Sequence, residues 1–140
     1  MKILLAVDGS KYTKKMLAYL TTHAEIFTPK NDYTLFTAQP LVPPRAVVAV
    51  GKEVVRQFHE EDAEKVLAPA YKFLARHDIN AHSSWKVGHA AETIAKFAES
   101  GKFDLILMGS HGHGSVVNMV MGSVATKVLA SCNIPVLLIR

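Results

Sequence analysis

Residues 108–126 read Met-Gly-Ser-His-Gly-His-Gly-Ser-Val-Val-Asn-Met-Val-Met-Gly-Ser-Val-Ala-Thr and hold four of the chain's eight glycines, at 109, 112, 114 and 122. They follow the apolar run Leu105-Ile106-Leu107-Met108 directly. After a strand, glycine opens backbone conformations closed to other residues and lets N–H groups approach an anion with no Cβ in the way. Gly122-Ser123 then begins a helical pattern, whose first N–H groups lack internal partners and whose dipole favours negative charge. The chemistry this composes is a phosphate cradle. The glycines alone equally fit a tight turn, with Ser123 capping the helix. No Lys follows in Walker register, and a dinucleotide fingerprint would follow the first strand, so neither standard phosphate motif applies.

Asp8, at the end of the first apolar run, is a candidate to accept from a ribose or to hold a cation bridging phosphates. Its alternative role is turn and cap chemistry with Gly9-Ser10. The seven histidines invite a metal reading, with His111-Gly-His113 the closest pair. Without a Cys partner or a nearby acid other than Asp104, they read as solvated loop histidines, and no metal site is expected. His59 and His77 share a helix with the acidic run Glu60-Glu61-Asp62 and read as surface. Ser110, Ser115 and Cys132 would each need a base and an orienting acid to act as nucleophiles. No Gly-x-Ser-x-Gly elbow is present, and Cys132 reads as core packing.

The elements that must position these residues alternate. Lys2–Asp8 is a short continuous apolar run, the pattern of a strand buried on both faces. Ser10 caps a helix carrying Met16, Leu17, Leu20, Ala24 and Phe27 inward, until Pro29. Residues 33–39 form a second strand, and a loop containing Pro43-Pro44 follows. From Glu53 to about His77 the apolar positions Val55, Phe58, Val66, Ala70, Phe73 and Leu74 keep a helical period. Pro69 predicts a kink there, or two helices in series. A third strand over 80–87, a helix over 90–100, a strand over 105–108, a helix over 122–131 and a strand over 135–139 complete the pattern. Repeated β-α units make an α/β fold of parallel strands with helices on both faces, in which ligands bind beyond the strands' carboxyl ends. The search narrows to the loops Asp8–Lys11, Gln39–Gly51, Gly88–His89 and Gly109–Gly122.

A chain of 140 residues reads as one domain over 1–140, long enough to bury roughly 68% of its unfolded surface without disulfides or metal. One cysteine makes no internal bridge. The N-terminal apolar run is stopped by Asp8 and is too short for a secretory signal, and no stretch is long enough to span a bilayer. The chain therefore reads as cytoplasmic, with no membrane partner. Sixteen Lys+Arg against 12 Asp+Glu give a net charge of +4. The basic residues are dispersed, so no nucleic-acid partner is expected.

Gly109-x2-Gly112-x9-Gly122-Ser123 resembles the Gly-x2-Gly-x9-Gly-[Ser/Thr] motif of the nucleotide-binding, UspA-like branch of the universal stress protein family. Ile3–Ser10, Asp104–Gly112 and Gly122–Leu129 with Ile134–Ile139 resemble that family's opening strand, fourth strand and turn, and closing helix and strand. The resemblance implies a three-layer, adenine nucleotide alpha hydrolase-like sheet of five parallel strands in the order 3-2-1-4-5. It also implies a homodimer and an ATP (or AMP/ADP) site, with Mg2+ or Mn2+ as companion ion. Carried over by position, Ala6, Val7 and Asp8 line the adenosine and Ala38 borders the adenine. Met108, Gly109, His111 and Gly112 border ribose and phosphates, and Gly122, Ser123 and Val124 hold the phosphate tail. The function implied is that of a regulatory, stress-response module. The alternatives are a slow ATPase or phosphotransfer enzyme, and a dimeric scaffold with no nucleotide; no catalytic residues are assigned.

The sequence departs from that pattern in charge. Between Lys102 and Lys127 there is no Lys or Arg, and His111, His113 and Asn118 stand where relatives often place a basic residue. Phosphate charge must then be met by N–H dipoles, a divalent cation or protonated histidine, and the last predicts affinity that falls from about pH 6 to pH 8. Val136–Ile139 is apolar and uncharged, a hazard if it lies at a sheet edge and a reason for two copies to pair there.

Overall fold

The computed structural model describes residues 1–114 and 118–140; Ser115, weighed above as a nucleophile, lies outside them. The elements are β1 (Lys2–Ala6), α1 (Lys11–Thr22), β2 (Asp32–Gln39), α2 (Pro44–Val50), α3 (Lys52–Ala75), β3 (Ala81–Val87), α4 (Ala90–Ser100), β4 (Leu105–Gly109), α5 (Ser123–Ser131) and β5 (Val136–Ile139). All strand pairs are parallel, in the order β3-β2-β1-β4-β5.

The alternation of side chains along β1 explains why the strand is apolar from Ile3 to Ala6. Ile3 and Leu5 point into a core with Met16, Leu17 and Leu20 of α1 and Ala63, Leu67, Ala70 and Leu74 of α3. Leu4 and Ala6 point the other way, against Ala91, Ile94 and Ala98 of α4 and Ala125 and Val128 of α5. β4 divides likewise, Leu107 joining the first core and Ile106 and Met108 the second. A strand with two buried faces favours apolar side chains on both, as β1 shows from Ile3 to Ala6.

Three expectations are corrected, and a fourth, at Pro69, is narrowed. The first helix stops at Thr22 rather than near Phe27. Thr21 and Thr22 hydroxyls donate to the carbonyls of Leu17 and Ala18, and the His23 ring bonds Tyr19 O at 2.8 Å, so side chains satisfy the last turn. Phe27 is buried from a turn instead. The segment expected as a loop contains α2, with Pro44 at its first position, where the missing N–H has no helical acceptor to lose. α3 is one helix through Pro69, not two in series. Its inward stripe is His59, Ala63, Leu67, Ala70 and Leu74. His59, expected at the surface, is 4% exposed while Phe58 is 51% exposed, because the stripe lies one residue round from the one the aromatics suggested.

Tyr33 shows how the sheet's amino end is tied to the turn before it. Its ring is buried, and its hydroxyl donates to Thr28 O at 2.9 Å and accepts from Asn31 Nδ2 at 3.2 Å. Burial pushes its pKa above the ordinary 10, against a smaller opposing effect of the Asn31 bond. The unfolded chain ionises this tyrosine first, so its contribution is present below pH 10 and is lost as pH rises above it. Tyr33→Phe is expected to cost about 1 kcal/mol at pH 8 by urea unfolding. The gap to the unsubstituted protein should shrink at pH 11; an unchanged gap would show that ionisation of Tyr33 is not linked to folding.

Candidate functional site

β1 and β4 are neighbours in register, Ala6 opposite Met108, yet the chain leaves β1 toward one face of the sheet and β4 toward the other. The gap this opens at their carboxyl ends holds a cavity of about 360 Å3, within the usual range of small-ligand sites. Its walls include every residue singled out from the sequence: Ala6, Val7, Asp8, Ala38, Met108, Gly109, His111, Gly112, Gly122, Ser123 and Val124. Thr13, Thr37, Ala90, Ile94 and Met119 line it too and were missed, and His113, weighed above as a partner for phosphate, joins them. Ala90 and Ile94 sit one helical turn apart at the start of α4. Among the described residues the lining contains one carboxylate, Asp8, and neither Lys nor Arg.

Asp8 fills the turn role with one of its two oxygens. Oδ1 accepts from Ser10 N and from the Thr13 hydroxyl, both at 2.9 Å, while Thr13 Oγ1 accepts from Asp8 N at 3.0 Å. That is turn and cap chemistry. Oδ2 instead faces Gly112, where a Cβ would stand 2.7 Å from it. Ser10 in turn caps α1, accepting from Thr13 N.

The glycines of the motif are required for a reason other than the one their type suggested. Gly109, Gly112 and Gly122 all have negative φ. What they supply is the absence of a side chain. A Cβ on Gly109 would meet Tyr12 Cβ at 2.6 Å, and one on Gly122 would lie 3.0 Å from His111 Cα and 3.1 Å from Ser110 O. Gly122 N–H donates to Ser110 O at 2.7 Å, which closes the loop by joining its first residues to its last. Ser110, 1% exposed, is the residue sequence reasoning undervalued. It is a clasp: its N–H donates to Ile139 O, its carbonyl accepts from Gly122, and its hydroxyl lies 2.9 Å from His111 Nδ1.

His111 is accordingly fixed rather than solvated. Its Nε2 is 2.8 Å from Met119 O, an acceptor, so Nε2 carries a proton and Nδ1 accepts from Ser110. The Tyr12 ring lies 5.0 Å away on a tilted plane. With both nitrogens engaged, His111 borders the cavity but has none left to donate to a phosphate. His113 Nε2 donates to Asp8 O at 2.7 Å, linking the two loops across the cavity mouth. Helix α5 begins beside them with Gly122, not Ser123, as its N-cap, and no side chain bonds its first turn. The leading N–H groups of Ser123, Val124 and Ala125 have no acceptor within the helix.

A sequence profile of the Universal stress protein family matches residues 1–140. The chain belongs to the universal stress protein family. It is 33% identical over 99% of its length to universal stress protein Slr1230 of Synechocystis, although it spans only 42% of that longer protein. A Thermus aquaticus universal stress protein is 34% identical, with 99% and 97% of the two chains covered. Among solved structures, that of MJ0577 of Methanocaldococcus jannaschii superposes with a TM-score of 0.82 at 26% identity, covering 99% of this chain and 94% of that one. More distant universal stress proteins of the same fold carry nucleotides: one from Arabidopsis thaliana has AMP bound (TM-score 0.70, 16% identity), one from Archaeoglobus fulgidus has dAMP (0.65, 18%), and a third has cAMP (0.66, 17%).

The close approach at Gly109 has a measurable cost of removal. Gly109→Ala in this universal stress protein is expected to lower stability by about 1–3 kcal/mol, because Tyr12 meets the new methyl with its Cβ and backbone. Gly114→Ala, with no described atom within 4 Å, is expected to stay within about 0.5 kcal/mol. Equal shifts in urea midpoint for the two variants would dismiss close approach as the reason for the motif's glycine.

Proposed function

We propose that the cavity beyond β1 and β4 binds an adenine nucleotide and that the chain serves as a cytoplasmic, nucleotide-responsive regulatory module in a stress response. The observation that carries this reading is the start of α5: a helix N-terminus capped only by glycine, opening on a cavity with apolar walls at Ala6, Val7, Ala38, Ile94 and Met108 and a single carboxylate, Asp8, among its described residues. An adenine ring fits against Ala6, Val7 and Ala38, with Asp8 toward the ribose. Met108, Gly109, His111 and Gly112 border the sugar and first phosphate, and Gly122, Ser123 and Val124 receive the phosphates through N–H groups and the Ser123 hydroxyl. The nucleotides carried by three relatives support the choice of base.

Charge decides which nucleotide binds well. With Asp8 the cavity's one carboxylate and no cation in its lining, each added phosphate brings charge that backbone dipoles alone must meet. A divalent ion held by Asp8 and the phosphate oxygens would relieve this, the usual arrangement for Mg2+ at nucleotides. Calorimetry is expected to show AMP binding more tightly than ATP without Mg2+, and Mg2+ closing the difference. Absence of any binding heat, together with no co-purifying nucleotide by mass spectrometry, would overturn the reading in favour of a scaffold.

We also propose that the chain forms a homodimer through Val136–Ile139. β5 is a sheet edge that pairs only with β4, and its four residues are apolar and half-buried. Pairing two such edges about a two-fold axis would cover both. Light scattering at micromolar concentration should give twice 15.3 kDa; a value of 15.3 kDa would contradict it.

A further inference from the structure

Thr37, in β2, lines the cavity beyond β1 and β4 although the residue is only 3% exposed. Its main chain faces elsewhere. Phe36 O accepts from Val7 N on the β1 side and Gln39 O accepts from Gly88 N on the β3 side, so the alternation along a strand turns the N–H and C=O of Thr37 toward β3. What Thr37 presents to the cavity is its side chain. It shares the face of Leu35, the side of α1 and α3, and stands beside Val7, one position beyond the Ala6–Phe36 pair. Two threonines thus border this side of the cavity. The Thr13 hydroxyl is fully engaged, donating to Asp8 Oδ1 and accepting from Asp8 N. The Thr37 hydroxyl makes no hydrogen bond with the described residues. Of the polar side-chain atoms sealed from solvent among those residues, His59 Nδ1 alone lacks a partner, so the Thr37 hydroxyl is not sealed, and what it opens onto is the cavity. A hydroxyl in so buried a residue is costly to leave unpaired, and a bound polar atom removes that cost.

We propose that Thr37 is a specificity-determining residue of this cavity, its hydroxyl meeting the polar group at the 6-position of a purine. The inference rests on the adenine nucleotide reading, with phosphates at the start of α5 and the base against Val7 and Ala38. Those two residues flank Thr37, one across the strand pair and one along the chain. The cavity therefore runs from a phosphate end at β4 and α5 to a base end at β2, and the 6-substituent is the part of an extended purine nucleotide farthest from its phosphate. A threonine hydroxyl can accept from the amino group of adenine there. The neighbouring walls at Ala38, Ala90 and Ile94 have no polar side chain to do so. A buried hydroxyl then counts against any base that leaves it unpaired.

Calorimetry with AMP and with purine riboside 5′-monophosphate, which lacks only the 6-amino group, tests the contact. The unsubstituted protein is expected to bind AMP about tenfold more tightly than the analogue. Thr37→Val keeps the shape and removes the hydroxyl; it should lose about that tenfold for AMP and bind the two nucleotides equally, while Thr37→Ser should restore the preference. Because the hydroxyl has no partner within the described protein, Thr37→Val is also expected to leave the urea midpoint of the ligand-free protein unchanged or raised. Unchanged AMP affinity in Thr37→Val, an equal loss for both nucleotides, or a lowered midpoint would each overturn the contact and leave the nucleotide reading standing. No binding heat with either nucleotide would overturn that reading and the contact with it.

Discussion

The pairing of β1 with β4 is the constraint from which the rest of the molecule follows. Two strands adjacent in space but separated by a hundred residues in sequence must each be covered on both faces, so Ile3–Ala6 and Leu105–Met108 are unbroken apolar runs. The chain then has to leave them in opposite directions, since helices α1 and α3 occupy one face and α4 and α5 the other. Backbone cannot fill the gap between two departing loops. A cleft at the carboxyl ends of this pair is therefore a consequence of topology, before any side chain in it is chosen.

Given that cleft, the loops around it are held by bonds between their own backbones more than by side chains reaching across. Ser110 joins β5, α5 and the ring of His111, and Asp8 joins the start of α1 to the loop after β4 through His113. These links bring main chain within 3 Å of main chain, which is why glycine stands at 109 and 122 although neither needs a positive φ. A motif that looks like a device for ligand approach is also a device for packing. The two uses are compatible, because backbone that closely stacked leaves the N–H groups at the start of α5 with no side chain in front of them.

The parallel fold was legible because both-face burial writes itself as unbroken apolar runs, and the cavity was legible because its glycine spacing falls at the right strand. What escaped had weaker signals. α2 was hidden by Pro43-Pro44, read as loop punctuation although Pro44 suits the first turn of a helix. The end of α1 was misplaced because Thr22 and His23 stop it through side-chain bonds that no periodicity reveals. On α3, Phe58 drew the inward stripe toward itself, while small residues such as Ala63 set the true one. His59 was placed by the charges that follow it, yet neighbours in sequence on a helix face different directions, and burial was decided by the residues four and eight positions on.

His59 and the cavity illustrate the same limit of charge arithmetic. A net charge of +4 says nothing of where the charge is. The cleft beside the N-terminus of α5 has neither Lys nor Arg among its described walls, although the chain as a whole carries an excess of these over acids. An anion entering it would be met by fixed backbone dipoles, which need no side-chain ordering to act.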